Sequence, residues 1–252
     1  MLPPSQRAWG QSDSTMVHAT NSSSATAGQK LILGDYVDND SYRDEWEISK
    51  LEAALLAIPE SYDRSSYFGA IADDLSGIGY EACFNNHSTI SDGITCTQLI
   101  DYMKESRILL LRTHGNRTSV NTSDGLLTRN YLLTLPSDTF TRLELVIYGA
   151  CRTGEGGREG NNLLTATIAA GARTAIGFEN RVESGACNVW CEAFFEGFAD
   201  YYSNSQMDYY DVCGYADSVA SDHRWYEYEN DDGNLVSLRN FVVVGATSLP
   251  NG

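Results

Sequence analysis

The sequence predicts an α/β domain, a three-layer sandwich with a mostly parallel sheet and helices on both faces, and three observations carry that prediction. Several segments of strand length are almost wholly apolar, as strands buried on both faces are. They alternate with segments of helical spacing, the pattern of a parallel sheet with crossover helices. The 252 residues, 42% of them hydrophobic, suffice for one full core. Two of the apolar runs also end abruptly in a reactive side chain: RILLLRTHG delivers His114 before Gly115, and LELVIYGACRTG delivers Cys151 after Ala150.

Residues 1–29 are rich in Ser, Thr and Ala and lack the basic start and apolar centre of a signal peptide, so they read as a flexible leader or linker, with residues 30–252 as one domain. QKLILGDYV is a short apolar run expected to form the first strand. DEWEISKLEAALLAIP places Trp46, Ile48, Leu51, Ala54 and Leu55 on one helical face and stops at Pro59, which predicts a helix. SSYFGAIADDLSGIGY repeats helical spacing and breaks at Gly77 and Gly79, YEACFNNHST follows as a strand, and TCTQLIDYMKES is a helix opened by a threonine cap. It leads into RILLLRTHG. Between the two reactive runs, TSDGLLTRNYLLTLPSD predicts a turn and a short helix, enough chain to bring the next strand in parallel. The glycine-rich RTGEGGREG lacks the spacing and the Lys-Ser/Thr of a nucleotide loop and reads as a mobile loop. Then come a helix in NNLLTATIAAGA, a strand in RTAIGFE, helices around NVWCEAFFEGFADYY and DVCGYADSVAS, and a last strand in VSLRNFVVVG.

Charge narrows the partners. Seventeen Lys and Arg against 34 Asp and Glu give a net charge of −17, which argues against nucleic acid or an anionic membrane and favours a cationic peptide or a metal cation. No run of apolar residues is long enough to span a membrane. The six cysteines form no CxxC pair, so a structural zinc site is not expected. In an oxidising compartment Cys83 with Cys96 would be the local disulfide; otherwise the thiols are free. The sequons at Asn21, Asn86, Asn116 and Asn121 leave the compartment open. Asp35, Asp38, Asp40 and Asp44 cluster without the glycine and spacing of an EF-hand; calcium is their minor reading, and no cofactor is required.

In a parallel sheet, ligands bind at the carboxyl ends of the strands. His114 and Cys151 both fall at such ends, on strands consecutive in the chain and therefore expected to be neighbours. A thiolate is a nucleophile, and a nearby imidazole can take its proton and later return one to a leaving amine. The backbone amides of Gly115 and Cys151 are the candidate oxyanion donors. The other histidines, His18, His87 and His223, end no apolar strand, and no GxSxG elbow occurs.

These residues carry a resemblance. LLLRTHG, then LVIYGACRTG with NNLLTATIAAGARTAIGF behind it, resembles the caspase-like cysteine peptidases, including clostripain and the gingipains, over residues 30 to 180. ILGDYVDND also resembles the clostripain-type first strand. The resemblance implies a caspase-like sandwich, endopeptidase activity on polypeptides, a dyad of His114 and Cys151, and oxyanion donors at Gly115 and Cys151. It favours a secreted or cell-surface bacterial protein. One departure is Gly149, where clostripain-like members often carry an acid. RTAIGFEN should end beside the dyad, so Glu179, with Glu183 as its nearest substitute, is the candidate acid for binding an Arg or Lys side chain before the scissile bond. Two alternatives stand beside this: a catalytically silent caspase-like interaction module, and an unrelated flavodoxin-like binding domain.

Overall fold

The computed structural model describes residues 53–58, 65–84, 94–202, 206–221, 228–229, 235–236 and 241–250. The leader over 1–29, the first predicted strand, the acidic cluster, and His18, His87 and His223 lie outside the described residues. In chain order the main elements are β1 (Ala53–Ala57), α1 (Ser65–Gly77), β2 (Ala82–Phe84), α2 (Cys96–Glu105), β3 (Ile108–Arg112), β4 (Gly115–Asn116), β5 (Ser119–Thr122), β6 (Gly125–Thr128), α3 (Arg129–Leu132), β7 (Leu145–Gly149), α4 (Leu163–Ala169), β8 (Thr174–Phe178), α5 (Ser184–Tyr201) and α6 (Tyr209–Ser221). A two-stranded ribbon, β9 (Tyr228–Glu229) with β10 (Leu235–Val236), precedes β11 (Phe241–Gly245).

The central sheet has the order β11-β8-β7-β3-β1-β2. All its pairs are parallel except β11 with β8. The five parallel strands share the 2-1-3-4-5 order of a flavodoxin-like sheet; the antiparallel edge strand departs from it. Alternate residues point to opposite faces. Ala53, Leu55, Leu110, Ile147, Ile176 and Val243 meet α1, α5 and α6, while Ala54, Leu56, Leu109, Val146, Ala175 and Val242 meet α2, α4 and the small sheet β4-β5-β6. Both layers are apolar, which gives the predicted sandwich.

Three local expectations are corrected. Ala53–Ala57, predicted as helix from its Ala and Leu content, is a strand with every residue fully buried. A helix would bury one stripe, whereas this segment fills both layers at once. The connection after His114 is a meander of three short antiparallel strands followed by the four-residue α3. The glycine-rich segment is tied down: Gly154 N–H donates to Phe178 O at 2.9 Å, and Asn162 Nδ2 donates to Glu155 O at 3.3 Å and Gly157 O at 2.9 Å. Gly156 and Gly157 adopt φ of +89° and +70°, conformations other residues rarely enter.

Other elements match their signals. α2 starts at Thr95 with a full capping box to Gln98, and α1 ends at Gly77 ahead of Gly79 at φ +91°. Cys96 carries a free thiol, so the local disulfide with Cys83 is not formed; the thiols of Cys151, Cys187, Cys191 and Cys213 are also free.

Candidate active site

β3 and β7 pair in register from Ile108 opposite Leu145 to Arg112 opposite Gly149, a constant offset of 37 residues. His114 and Cys151 are the residues two positions beyond that last couple on each strand. The sequence offset therefore becomes a spatial one, with both reactive residues leaving the same end of adjacent strands at the same level. Past the strand ends the segments stay in contact. A methyl group placed on Gly115 would lie 3.0 Å from Ala150 Cβ and 3.2 Å from Thr153 Cγ2.

His114 is exposed and Cys151 half-buried, so both reach solvent. The His114 backbone is fixed from the meander side: its carbonyl accepts from Asn121 N–H at 2.9 Å, and Thr113 Oγ1 donates to Asn121 O at 3.1 Å. Cys151 opens a sharp turn. Arg152 takes φ +57°, a left-handed conformation that costs a non-glycine residue about 1–2 kcal/mol. Arg152 N–H donates to Asn180 O at 3.0 Å, anchoring the turn to the segment after β8. Thr153, fully buried, spans it from below; its hydroxyl lies 3.3 Å from Ala150 O and 3.4 Å from Tyr148 O, and accepts from Phe178 N–H at 3.4 Å. No acceptor for the Cys151 N–H is found among the described residues.

The segment 179–183 lies against the Cys151 turn. Val182 N–H approaches Cys151 Sγ at 3.5 Å, and the thiol lies 3.6 Å from Val182 O. Glu179 follows the last residue of β8 and is half-buried. Because Asn180 holds the turn at Arg152, the backbone carrying Glu179 runs beside Cys151. Glu183 is the N-cap of α5, and its Oε2 accepts from Ala186 N–H at 2.8 Å. Its carboxylate thus has a helix end to satisfy.

Sequence reasoning missed Arg112 and Thr153. Arg112 ends β3, is 2% exposed, and reaches under the site to the first turn of α5. A single cation at the end of an otherwise apolar strand was its visible signal. Its charge acts on a pair of buried thiols one helical turn apart. Burial alone would push the Cys187 thiol up, but the hydrogen bond with Cys191 and the Arg112 charge outweigh it and its pKa is lowered; Cys191 is raised by burial and by that same hydrogen bond. Among the described residues, no group of three or more His, Cys, Asp or Glu side chains is arranged to hold a metal ion, and no helix is long and apolar enough to cross a membrane.

No known family profile and no curated protein sequence matches this chain. Solved structures do. The Arg-specific cysteine proteinase gingipain R (RgpB) superimposes with a TM-score of 0.58 at 17% identity, covering 81% of this chain and 48% of that one. The complex of the Porphyromonas gingivalis RgpB pro- and mature domains gives 0.58, 17%, 81% and 49%. Caspase-1 from Spodoptera frugiperda aligns at a TM-score of 0.45 and 12% identity over 80% of this chain and 91% of that one. The chain spans about half the length of the gingipain structures it matches. Its fold is that of the caspase-like cysteine peptidases.

Proposed function

We propose that this chain is a cysteine endopeptidase whose nucleophile is Cys151 and whose proton carrier is His114. The observation that supports it most is the pairing of β3 with β7, which brings the two residues out level at the same sheet end, with Gly115 packed on Ala150 to keep their segments together.

The reaction follows from those positions. The Cys151 thiolate adds to the carbonyl carbon of a peptide bond, and the carbonyl oxygen takes up the charge. The amides of Gly115 and Cys151 donate to that oxyanion; their value is that they are already in place when the charge develops. His114 gives its proton to the leaving amine, the carbon–nitrogen bond breaks, and the acyl group stays on sulfur. Water then enters, His114 removes its proton, and the thioester is hydrolysed to release the acid and restore the thiol. A polypeptide is the substrate.

The side chain preceding the scissile bond is proposed to be Arg or Lys. Glu179, rather than the helix-capping Glu183, is the acid for it, and the net charge of −17 would steer cationic peptides inward. Two experiments test these readings. A thiol-directed probe should label Cys151 with a pH dependence that vanishes in His114→Ala, and Cys151→Ala should lose peptide hydrolysis while remaining folded. A Cys151→Ala protein that keeps more than about a hundredth of the turnover refutes the assignment. For specificity, kcat/KM is compared for matched Arg and Gln peptides in wild type and Glu179→Gln. A preference for Arg of about a hundredfold, mostly lost in the variant, is expected. Equal rates for both peptides in the wild type remove Glu179 from the role.

A further inference from the structure

We propose that Arg112 is a positioning residue of this site: its guanidinium ties the Gly149 carbonyl, two residues before the nucleophile, to the first turn of α5, and so locks the nucleophile turn to the wall that faces it. The inference rests on the peptidase reading above and adds a residue that the dyad chemistry does not require.

A guanidinium has five N–H donors in a rigid plane. Arg112 engages partners through all three of its nitrogens: Nε to Asn188 Oδ1 at 3.2 Å, Nη1 to Gly149 O and to Cys187 Sγ at 2.8 Å, Nη2 to Ser184 O at 3.1 Å and Asn188 Oδ1 at 2.9 Å, with Tyr67 also beside it. With this set of partners and 2% exposure, the side chain is a brace and not a hand offered to substrate. What it braces is specific. Gly149 leads through Ala150 into Cys151, and Ser184 follows directly on the segment whose Val182 touches the Cys151 sulfur. One side chain therefore spans from the strand that presents the nucleophile to the opposite lip of the crevice.

Gly149 supports this independently. A methyl group there would lie 2.5 Å from Arg112 Cδ and 2.9 Å from Nη1, so the space of a side chain at this position is filled by Arg112. Fold stability alone does not call for an arginine in this place. Its contacts lie in the first turn of α5, the positive end of a helix dipole, where a cation is disfavoured. Buried charges are moreover often replaceable by apolar residues without loss of stability.

The test uses the whole chain and reads kcat, KM and melting temperature separately for Arg112→Lys, Asn188→Ala and the double variant. Arg112→Lys keeps the charge and loses the fork. It should lower kcat at least about tenfold while KM stays within about threefold, the split expected when reacting atoms are misplaced and binding is not. Asn188→Ala, which removes the acceptor of two donors, should lower kcat in the same direction, and the double variant should be no worse than Arg112→Lys within about twofold, because both act through one contact. Folded variants with wild-type kcat and only a lower melting temperature overturn the proposal and leave the peptidase reading standing. If Arg112→Lys does not fold, Asn188→Ala decides, and an unchanged kcat there overturns it. A wild-type protein that neither cleaves peptides nor shows His114-dependent labelling of Cys151 overturns both.

Discussion

Replacing Gly115 by alanine is the sharpest probe of how the two reactive segments meet. The added methyl would lie 3.0 Å from Ala150 Cβ, 3.2 Å from Ser119 O and 3.2 Å from Thr153 Cγ2, against an ordinary contact of about 3.5–4.0 Å. The backbone at Gly115 is not in the left-handed region, so the penalty is purely one of space. Relief is hard to find. Ala150 and Thr153 are buried and the Ser119 oxygen belongs to β5, so the segments must part by several tenths of an ångström. Overpacking of this kind costs about 1–3 kcal/mol. The motion also separates His114 from Cys151, and a displacement approaching 1 Å costs about a hundredfold in rate; a loss of kcat between about tenfold and a hundredfold is expected. Denaturant unfolding and steady-state kinetics on a cleaved peptide measure the two effects. Gly69→Ala is the control: nothing lies within 4 Å of its new methyl, it is inside α1, and it should stabilise by about 0.5–1 kcal/mol with activity unchanged. A Gly115→Ala protein with wild-type kcat and stability would mean that the contact between the segments is not what aligns the dyad.

Three further expectations are independent of that one. Thr153→Val keeps the shape but removes the hydroxyl shared by Ala150 O, Tyr148 O and Phe178 N–H, and should cost about 1–3 kcal/mol in chemical denaturation with a fall in Cys151 alkylation rate; an unchanged unfolding midpoint argues against Thr153 as the clamp of the turn. Glu183→Ala removes the N-cap of α5 and should destabilise by about 0.5–2 kcal/mol while leaving the Arg-over-Gln preference intact, so a selective loss of Arg cleavage would reassign Glu183 to the substrate pocket. Burial raises the pKa of Tyr67, Tyr148 and Tyr209 above the usual value, so the unfolded chain loses these protons first: stability is fully present below about pH 10 and falls as pH rises beyond it. Tyrosinate absorbance should then rise together with loss of far-ultraviolet dichroism, and titration of all tyrosines in a still-folded protein would refute it.

The legible parts of the fold were those where one physical demand dominated. ILLLR and LVIYG are buried on both faces, so apolarity alone identified them, and the strand-end rule then placed His114 and Cys151 together. AALLA met the same demand but is built from good helix formers, and the propensity of Ala and Leu concealed a central strand. The meander escaped notice because its strands, GN, SVNT and GLLT, are too short and too polar for a period of two to register. At the site, His114 and Cys151 were visible and the residues that hold their segments were not. Arg112 finds Ser184, Cys187 and Asn188 more than seventy residues away, and Thr153 finds Phe178 across a helix and a loop. Such partners exist only once the sheet has formed. Glu183 stood beside Glu179 as its substitute because a carboxylate beside a strand end and a carboxylate at a helix start look alike until the helix boundary is known.

The antiparallel edge strand has a bearing on how the chain comes off the ribosome. β7 is finished shortly before β8, but β11, which covers the other side of β8, follows about sixty residues later. At about 5–20 residues per second, the outer row of peptide groups on TAIGF waits several seconds for its mate. During that time β8 is an open, mostly apolar edge, the kind of surface that recruits strands from other chains. A chain interrupted between Tyr201 and Phe241 would keep that edge for good, and it would accumulate as aggregate even though the residues from Ile108 to Tyr201 that bring His114 and Cys151 together had all been made.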